Sequence, residues 1–327
     1  MANSATQLTH PGKKAATTAS IAFAFACVYF FWGSTYTAIR IGAAEMPANL
    51  LAGTRFLIAG AILLAWCRWR GMRLLWPPKT MLTLGVVGLL LLSGCNMFLV
   101  YAEKTVPSGL ASLVLAAIPL LAALAEMLLP GGEPLPARGW LGIALGFAGL
   151  AALLWPSLRV GVAGDHTRLA AIAVLFAGAL AWTVGSLVSR HARLAVNSFV
   201  AAAWQMLIAG AFSTALGTAL GQWGGFHINA ASVGSLAWLI TGGSLIGYSA
   251  FIYLLEHVPV AKVSSYAYVN PVVAVLLGIF LLQERPEPAE FAGMAGILVA
   301  VFLMTTAPVK SNGKPEPLEL LETMPPE

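Results

Sequence analysis

The sequence predicts an all-α integral membrane protein, with ten transmembrane helices arranged as two inverted five-helix repeats around a central cavity. Composition is the first reason: 59% of the 327 residues are apolar and only 9% are charged, whereas soluble proteins carry about 25% charged residues. The spacing of the apolar segments and an internal duplication are the other two. The excess of Lys and Arg does not indicate a nucleic-acid partner, because in a membrane protein it marks the cytoplasmic loops.

Apolar segments follow one another along the whole chain. A bilayer core about 30 Å thick needs about 20 apolar residues per helix. Ten segments meet this requirement, at residues 18–42, 49–68, 80–102, 107–129, 138–155, 168–190, 197–220, 232–255, 260–282 and 288–307. The connections between them are too short for an inserted soluble domain. Residues 1–17 are expected to form a cytoplasmic N-terminal tail, and 308–327, rich in Pro and Glu, a disordered cytoplasmic tail.

The two halves of the chain share a pattern. Pro119 and Pro271 are 152 residues apart, and the same shift carries Gly33 onto Gly185. We therefore interpret residues 18–156 and 168–307 as two copies of a five-helix unit. Because five is odd, the second copy crosses the membrane in the opposite direction. Inverted repeats with a proline-interrupted helix in matching positions are typical of secondary transporters, and Pro119 and Pro271 are the predicted hinges.

Several stretches resemble a known family. They are FFWGSTYTAIRIG and GTRFLIAGAILL in the first two segments, GGEPLPARGWLGIALGFAGL, and its counterpart NPVVAVLLGIFLLQERPEPAEFAGMAGILVAV. Over about residues 20–307 the chain resembles the EamA-type drug/metabolite transporter superfamily, and within it bacterial amino-acid exporters of the YddG type. The resemblance implies ten helices in a bacterial cytoplasmic (inner) membrane, both termini in the cytoplasm, and export of amino acids or related metabolites. The family's acidic positions correspond to Glu133 and Glu284, and its second-helix arginine to Arg55.

Candidate substrate-binding residues are the aromatic and polar side chains placed in the apolar segments. Polar groups that face lipid are costly, so these faces are expected to turn inward. Rings and neutral polar groups together suit a neutral or zwitterionic, partly apolar solute. For a serine, a hydrogen bond to its own helix is the alternative. The predicted set is Trp32, Tyr36, Arg55, Asn96, Tyr101, Trp182, Ser186, Tyr248, Tyr266 and Asn270.

Arg55 is the most costly of these residues. A charged side chain in a membrane helix costs roughly 2.5–3.5 kcal/mol on insertion scales. Its guanidinium is either a clamp for a substrate carboxylate, half of a structural ion pair, or a group that reaches back to the interface. The sequence leaves these alternatives open. Glu103, Glu126 and Glu256 are candidates for its partner or for a proton site.

Together, the residues and the resemblance predict a secondary transporter that exports small metabolites, above all neutral amino acids including aromatic ones, by alternating access. Multidrug efflux and a passive solute channel are the alternatives. A membrane-embedded enzyme would need acidic clusters for a metal, and no GxxxxGK[ST], HExxH or GxSxG motif occurs. We expect no enzyme activity, no cofactor and no metal site. The expected partners are a small-molecule substrate and the lipid bilayer, without nucleic acid or an obligatory oligomer.

The charge distribution generates a test of orientation. With both termini in the cytoplasm, twelve of the 18 Lys and Arg residues lie inside and five outside, as the positive-inside rule requires. Cysteines introduced singly as Ala5→Cys and Leu320→Cys should therefore resist a membrane-impermeant thiol reagent added to intact cells, and should react once the cells are permeabilised. Labelling of either cysteine in intact cells would contradict the ten-helix topology.

Overall fold

The structure is a computed structural model that describes residues 17–102, 105, 111, 114–115, 117–129, 136–161, 166–192, 194–282 and 288–306. Two predicted features lie outside the described residues: the N-terminal tail up to residue 16 and the C-terminal tail. Glu103, Glu133, Glu284 and much of the first half of the fourth predicted segment lie outside them as well. The described part of the chain is all-helical and contains no strand.

Eleven helices carry the described fold. Their bounds are α1 Thr18–Glu45, α2 Ala48–Trp69, α3 Pro78–Ala102, α4 Ile118–Leu128, α5 Ala137–Gly161, α6 His166–His191, α7 Ser198–Ala219, α8 Ala230–His257, α9 Val260–Val263, α10 Tyr266–Leu282 and α11 Pro288–Thr306. Among the described residues, six helices are long and apolar enough to cross a membrane, namely α1, α2, α3, α6, α7 and α8. They coincide with six of the predicted segments, and the count of ten stays a prediction.

The ends of several helices follow from local sequence signals. Thr17 caps α1, because its side chain accepts a hydrogen bond from the Ser20 N–H at 3.2 Å. Asn229 and Ser232 form a reciprocal capping box at the start of α8. Gly71 and Gly221 follow the ends of α2 and α7 with positive φ angles of 70° and 65°, which a residue with a side chain rarely adopts. These signals keep the connections short.

The ninth predicted segment is not one continuous helix. A turn at Ser264 and Ser265, both fully buried, separates α9 from α10. The Ser265 N–H donates to the Lys262 carbonyl at 3.1 Å, and the Ala267 N–H donates to the Ser264 carbonyl at 3.0 Å. Bonds over three residues tighten the chain locally and interrupt the α-helical ladder.

The two paired prolines occupy different places in their helices. Pro271 lies inside α10, as the sequence predicts. Pro119 is the second residue of α4 and not a central residue of a longer helix. Proline is well tolerated in the first turn, where the N–H has no helical partner in any case.

Two π-helical stretches were not predicted. Residues Leu89–Cys95 of α3 and Leu239–Tyr248 of α8 are π-helical. Such stretches shift the helix face by one residue, and they are frequent at functional sites. They occupy equivalent places in the two halves, since the shift of 153 residues that relates Gly94 to Gly247 carries one stretch into the other.

The packing joins the two halves closely. Helix α2 runs antiparallel to α7 with backbones in near contact: a Cβ on Gly53 would lie 2.8 Å from the Thr214 nitrogen, and one on Gly210 would lie 2.6 Å from the Leu57 nitrogen. Helix α5 packs against α11. In the middle, α1 contacts α8 and α10, while α6 contacts α3 and α4. The first helix of each half therefore lies against the third and fourth helices of the other half.

The backbone contact between α2 and α7 generates a stability prediction. In most helices Gly→Ala stabilises by about 0.5–1 kcal/mol, but at Gly210 the added methyl meets a backbone atom that has no room to move. We expect Gly210→Ala to destabilise by about 1–3 kcal/mol, the range of overpacking. Gly234→Ala in α8 is the matched control, since nothing lies within 4 Å of its Cβ position. Melting temperatures of both purified variants in detergent decide it, and an unchanged value for Gly210→Ala would contradict the packing.

Candidate functional site

A cavity lies in the centre of the bundle. Its free volume is about 60 Å³, and helices α1, α2, α3, α4, α6, α8 and α10 all contribute to its wall. The structure brings eight of the ten predicted substrate-binding residues to this wall. They are Trp32, Tyr36, Arg55, Asn96, Trp182, Tyr248, Tyr266 and Asn270.

The structure does not bring Tyr101 and Ser186 to the cavity. Tyr101 is 63% exposed, because it lies one residue before the end of α3, where the helix has passed the cavity. Ser186 is buried in α6, and its hydroxyl donates to the Trp182 carbonyl at 2.8 Å. This is the hydrogen bond to its own helix that is common for serine in membrane helices.

Trp32, Trp182 and Tyr266 lie side by side in the cavity wall, and together with Phe251 they form an aromatic cluster. The ring centroid of Trp32 lies 5.3 Å from that of Trp182 and 4.8 Å from that of Tyr266, both with edges towards faces. Phe251 lies 5.0 Å from Trp32. Edge-to-face pairs at such distances are favourable. Phe251 was missed by the sequence analysis, since an apolar ring in an apolar helix carries no distinguishing signal.

Trp32 and Arg55 both contact the π-helical stretch of α8. The Trp32 indole N–H donates to the Gly243 carbonyl at 2.9 Å. A Cβ on Gly247 would lie 2.6 Å from the same indole nitrogen, and one on Gly243 would lie 2.6 Å from Nη2 of Arg55. A side chain at either position would displace these groups, so the two glycines let Trp32 and Arg55 lie on the α8 backbone. The glycine pair at 242 and 243 was the available sequence signal.

Arg55 is buried, with 7% of its surface exposed. Its Nε donates to the Ser244 hydroxyl at 2.8 Å, and its Cζ lies 4.8 Å from the centre of the Phe56 ring. Within the described part of the chain Arg55 has no ion-pair partner. Two of the proposed partners, Glu126 and Glu256, line a different cavity. The terminal nitrogens of the guanidinium therefore bring a positive charge to the central cavity.

Two further polar atoms in this wall have no hydrogen-bond partner among the described residues. They are the indole nitrogen Nε1 of Trp182, a donor, and Oδ1 of Asn270, an acceptor, and both are buried. Pro271 has no N–H to offer the carbonyl of Ala267, another lining residue. Buried polar groups without partners are costly, so their presence in one cavity indicates a polar ligand.

A second, more polar cavity lies nearer the end of the bundle at which α1 begins. We call it the terminal cavity. Its free volume is about 530 Å³. Its wall combines the early part of α3, the ends of α6 and α8 and the start of α7. The charged or titratable residues in it are Glu126, Arg190, His191 and Glu256. The hydrogen bond between Ser20 of α1 and Tyr253 of α8, at 2.9 Å, marks this end of the bundle.

One hydrogen bond joins a residue of the central cavity to a residue of the terminal cavity. The Tyr248 hydroxyl donates to Oε1 of Gln205 at 2.7 Å, and both residues are 1% exposed. Tyr248 lines the central cavity, whereas Gln205 lines the terminal cavity. Gln205 was also missed by the sequence analysis, although an amide in the apolar helix α7 is a detectable signal.

The comparison with protein families agrees with this architecture. Residues 19–155 and 169–306 each match the model of the EamA-like transporter family. The chain belongs to this family. The predicted resemblance to the EamA-type drug/metabolite transporters is thereby confirmed, and the protein is a membrane transporter of the EamA-like family.

Individual proteins extend this EamA-like assignment over most of the chain. An uncharacterized inner membrane transporter of Escherichia coli, YedA, is 38% identical over 297 residues, which cover 88% of this chain and 91% of YedA. A "probable amino-acid metabolite efflux pump" of Salmonella typhimurium is 30% identical over 294 residues, 84% of this chain and 92% of the pump. A solved crystal structure superimposes with a TM-score of 0.74 at 25% identity, covering 88% of this chain and 97% of the other.

Proposed function

We propose that this EamA-like protein is a secondary transporter that exports neutral amino acids, aromatic ones included, across a bacterial inner membrane by alternating access. The observation that carries the substrate class is the buried guanidinium of Arg55, which has a hydroxyl and a ring beside it but no carboxylate among the described residues. A charge in such a place needs a counter-charge. The carboxylate of an amino acid supplies one, and guanidinium binds carboxylate with two parallel hydrogen bonds.

The remaining groups of the cavity fit the rest of an amino acid. Oδ1 of Asn270 accepts hydrogen bonds only, as does the carbonyl of Ala267, so both suit an ammonium group. The aromatic cluster offers ring faces and edges to an apolar side chain. In this arrangement the zwitterion lies between α2 and α10 and its side chain contacts α1 and α6. The names of the inner membrane transporter YedA and of the amino-acid efflux pump support the location and the class of solute.

Alternating access is supported by the relation between the halves. Helices α2 and α7, the second helix of each half, run antiparallel, as two repeats of opposite orientation require. The central and terminal cavities lie on opposite sides of the Tyr248–Gln205 hydrogen bond. In the proposed cycle, ten membrane helices form two inverted repeats, residues 18–156 and 168–307, and both termini are cytoplasmic. Breaking the Tyr248–Gln205 bond joins the two cavities. The central cavity then opens to the side of the membrane at which the terminal cavity lies.

Counterflow in proteoliposomes tests this function. The purified protein is reconstituted with unlabelled phenylalanine inside, and uptake of labelled phenylalanine, leucine and lysine is measured from outside. A carrier for neutral amino acids accelerates the exchange of phenylalanine and leucine. A passive channel shows no acceleration by internal solute. Exchange of lipophilic cations without exchange of amino acids would replace the proposal with multidrug efflux.

Arg55 should set the preference for a carboxylate. We expect Arg55→Gln to raise the half-saturating concentration of phenylalanine by roughly 10- to 100-fold, since a hydrogen bond to a charged group contributes about 1.5–3 kcal/mol. The half-saturating concentration of phenylalaninamide, which has no carboxylate, should change little. Competition by both compounds in the counterflow assay measures this. Arg40→Gln, at an exposed position of α1, is the control. An equal loss for both solutes would make Arg55 a structural residue.

Pro271 is the proposed hinge of α10, with Pro119 as its counterpart at the start of α4. Replacing Pro271 with Ala restores an N–H to the helix, so the variant should be at least as stable as the parent. Its exchange rate should fall, because a straight, fully bonded α10 bends less readily. Melting temperature and exchange rate at saturating phenylalanine are the two measurements. Parental exchange by both Pro271→Ala and Pro119→Ala would show that neither proline acts as a hinge.

A further inference from the structure

The two cavities differ in the room that they offer in this conformation. The free volume is about 530 Å³ in the terminal cavity and about 60 Å³ in the central cavity. A buried water molecule needs about 10–15 Å³ of such free volume, so the central cavity has room for only a few waters. Pockets for small-molecule ligands usually offer about 300–1,000 Å³. Of the two, the terminal cavity is therefore the one that has room for an amino acid, and the central cavity has to widen first.

Gln205 brings a hydrogen-bond donor without a partner to the terminal cavity. The residue is 1% exposed, and its Oε1 accepts the hydrogen bond of the Tyr248 hydroxyl. Its side-chain nitrogen Nε2 carries two hydrogens and donates to no residue in the part of the chain that the structure describes. A buried donor without a partner is costly. Because Gln205 lines the terminal cavity, its place there indicates a ligand with acceptor atoms.

Helices α2 and α7 contact each other reciprocally. Both have 22 residues, and their first residues, at positions 48 and 198, are 150 apart. A Cβ on Gly60 would lie 2.9 Å from the backbone nitrogen of Leu207, and one on Gly210 would lie 2.6 Å from that of Leu57. The same shift of 150 residues carries each member of the first pair onto a member of the second. Such an exchange of partners is what a two-fold axis between two helices produces.

This relation makes Gln205 the counterpart of Arg55, because these two residues are also 150 apart. Arg55 brings N–H donors to the central cavity, and Gln205 brings N–H donors to the terminal cavity. Each is hydrogen-bonded to α8, Arg55 to Ser244 and Gln205 to Tyr248, four residues further along. A carboxylate suits both side chains, and the charged guanidinium binds it more strongly than the neutral amide does.

We propose that the terminal cavity is an entry site for the exported amino acid and that the amide of Gln205 binds its carboxylate there. The proposal rests on the proposed export function. In the proposed topology the terminal cavity lies at the cytoplasmic end of the bundle, from which an exporter takes its solute. When the Tyr248–Gln205 bond breaks and the central cavity widens, the carboxylate passes from the amide of Gln205 to the guanidinium of Arg55.

Protection of a cysteine in the terminal cavity measures binding at the entry site. Ser189 lines this cavity and is partly exposed, so Ser189→Cys should react with a water-soluble thiol reagent in detergent solution. The parental protein, whose three cysteines are buried, gives the background. We expect phenylalanine to slow the labelling of Ser189→Cys. Adding Arg55→Gln should change the half-protecting concentration by less than about twofold, whereas a tenfold rise would show that protection comes from binding at the central cavity and would overturn the entry site.

The variant Gln205→Met tests the contact with the carboxylate. Methionine has a similar length and no N–H. We expect it to raise the half-protecting concentration of phenylalanine roughly 3- to 10-fold, the usual effect of one lost hydrogen bond. The value for phenethylamine, which has the ring and the ammonium group but no carboxyl group, should not change. Ser213→Ala is the matched control, since it removes a buried hydroxyl from the same helix at a position that lines neither cavity.

Two results would overturn the entry site: phenylalanine that fails to protect Ser189→Cys, or a Gln205→Met variant in which the values for both solutes stay the same or shift equally. Counterflow by the parental protein separates this from failure of the export function. Continued exchange of phenylalanine leaves the export function standing, and absence of exchange for every amino acid overturns both. Should Gln205→Met not fold, the two solutes decide on Ser189→Cys alone, because equal protection by phenylalanine and phenethylamine would overturn the contact with the carboxylate.

Discussion

A group with hydrogen-bonding capacity inside a bilayer has to find its partner within the protein, because lipid tails offer none. This constraint explains the arrangement of the centre of the bundle. The indole of Trp32 donates to a backbone carbonyl of α8, and Nε of Arg55 donates to a hydroxyl one residue further along the same helix. Both donors reach α8 at the place where its ladder is π-helical. Polar atoms of Arg55, Trp182 and Asn270 that have no partner in the described part of the chain lie at one cavity and contribute to its chemistry.

The π-helical stretches and the glycines serve this arrangement together. A π-helical turn weakens the regular ladder and turns the helix face by one residue, which is a local cost. At α8 this cost is offset by the contacts that Trp32 and Arg55 make with the backbone. At Gly243 and Gly247 a Cβ would lie only 2.6 Å from an atom of Arg55 and of Trp32, respectively. The equivalent stretch in α3 carries Cys95 and neighbours Asn96, both at the same cavity. The two irregular segments thus both line the proposed binding space.

Much of this architecture could be predicted because length and apolar composition are properties of single segments. The six long helices follow from them, as do the deep aromatic and polar residues that line the cavity. Other features depend on distant neighbours. The partner of Arg55 is Ser244, 189 residues away, and the π-helical turns depend on which carbonyls neighbouring helices occupy. Tyr101 shows a limit of residue type as a signal, since an aromatic residue in an apolar segment still misses the cavity when it lies at the helix end. The turn at Ser264 and Ser265 was not predicted, because neither position carries a proline that would indicate it.

The near contact of α2 with α7 has a consequence for movement. The helices come from different halves, and no side chain separates their backbones at Gly53 and Gly210. Closely packed interfaces of this kind are hard to deform. The two halves are therefore held together at this contact as well as at the α5–α11 contact, and in the proposed change of access the other helices move relative to α2 and α7 while this contact stays closed. The tryptophans of α1 and α6 lie in the aromatic cluster, so a rotation of these helices about the α2–α7 contact displaces the cavity wall.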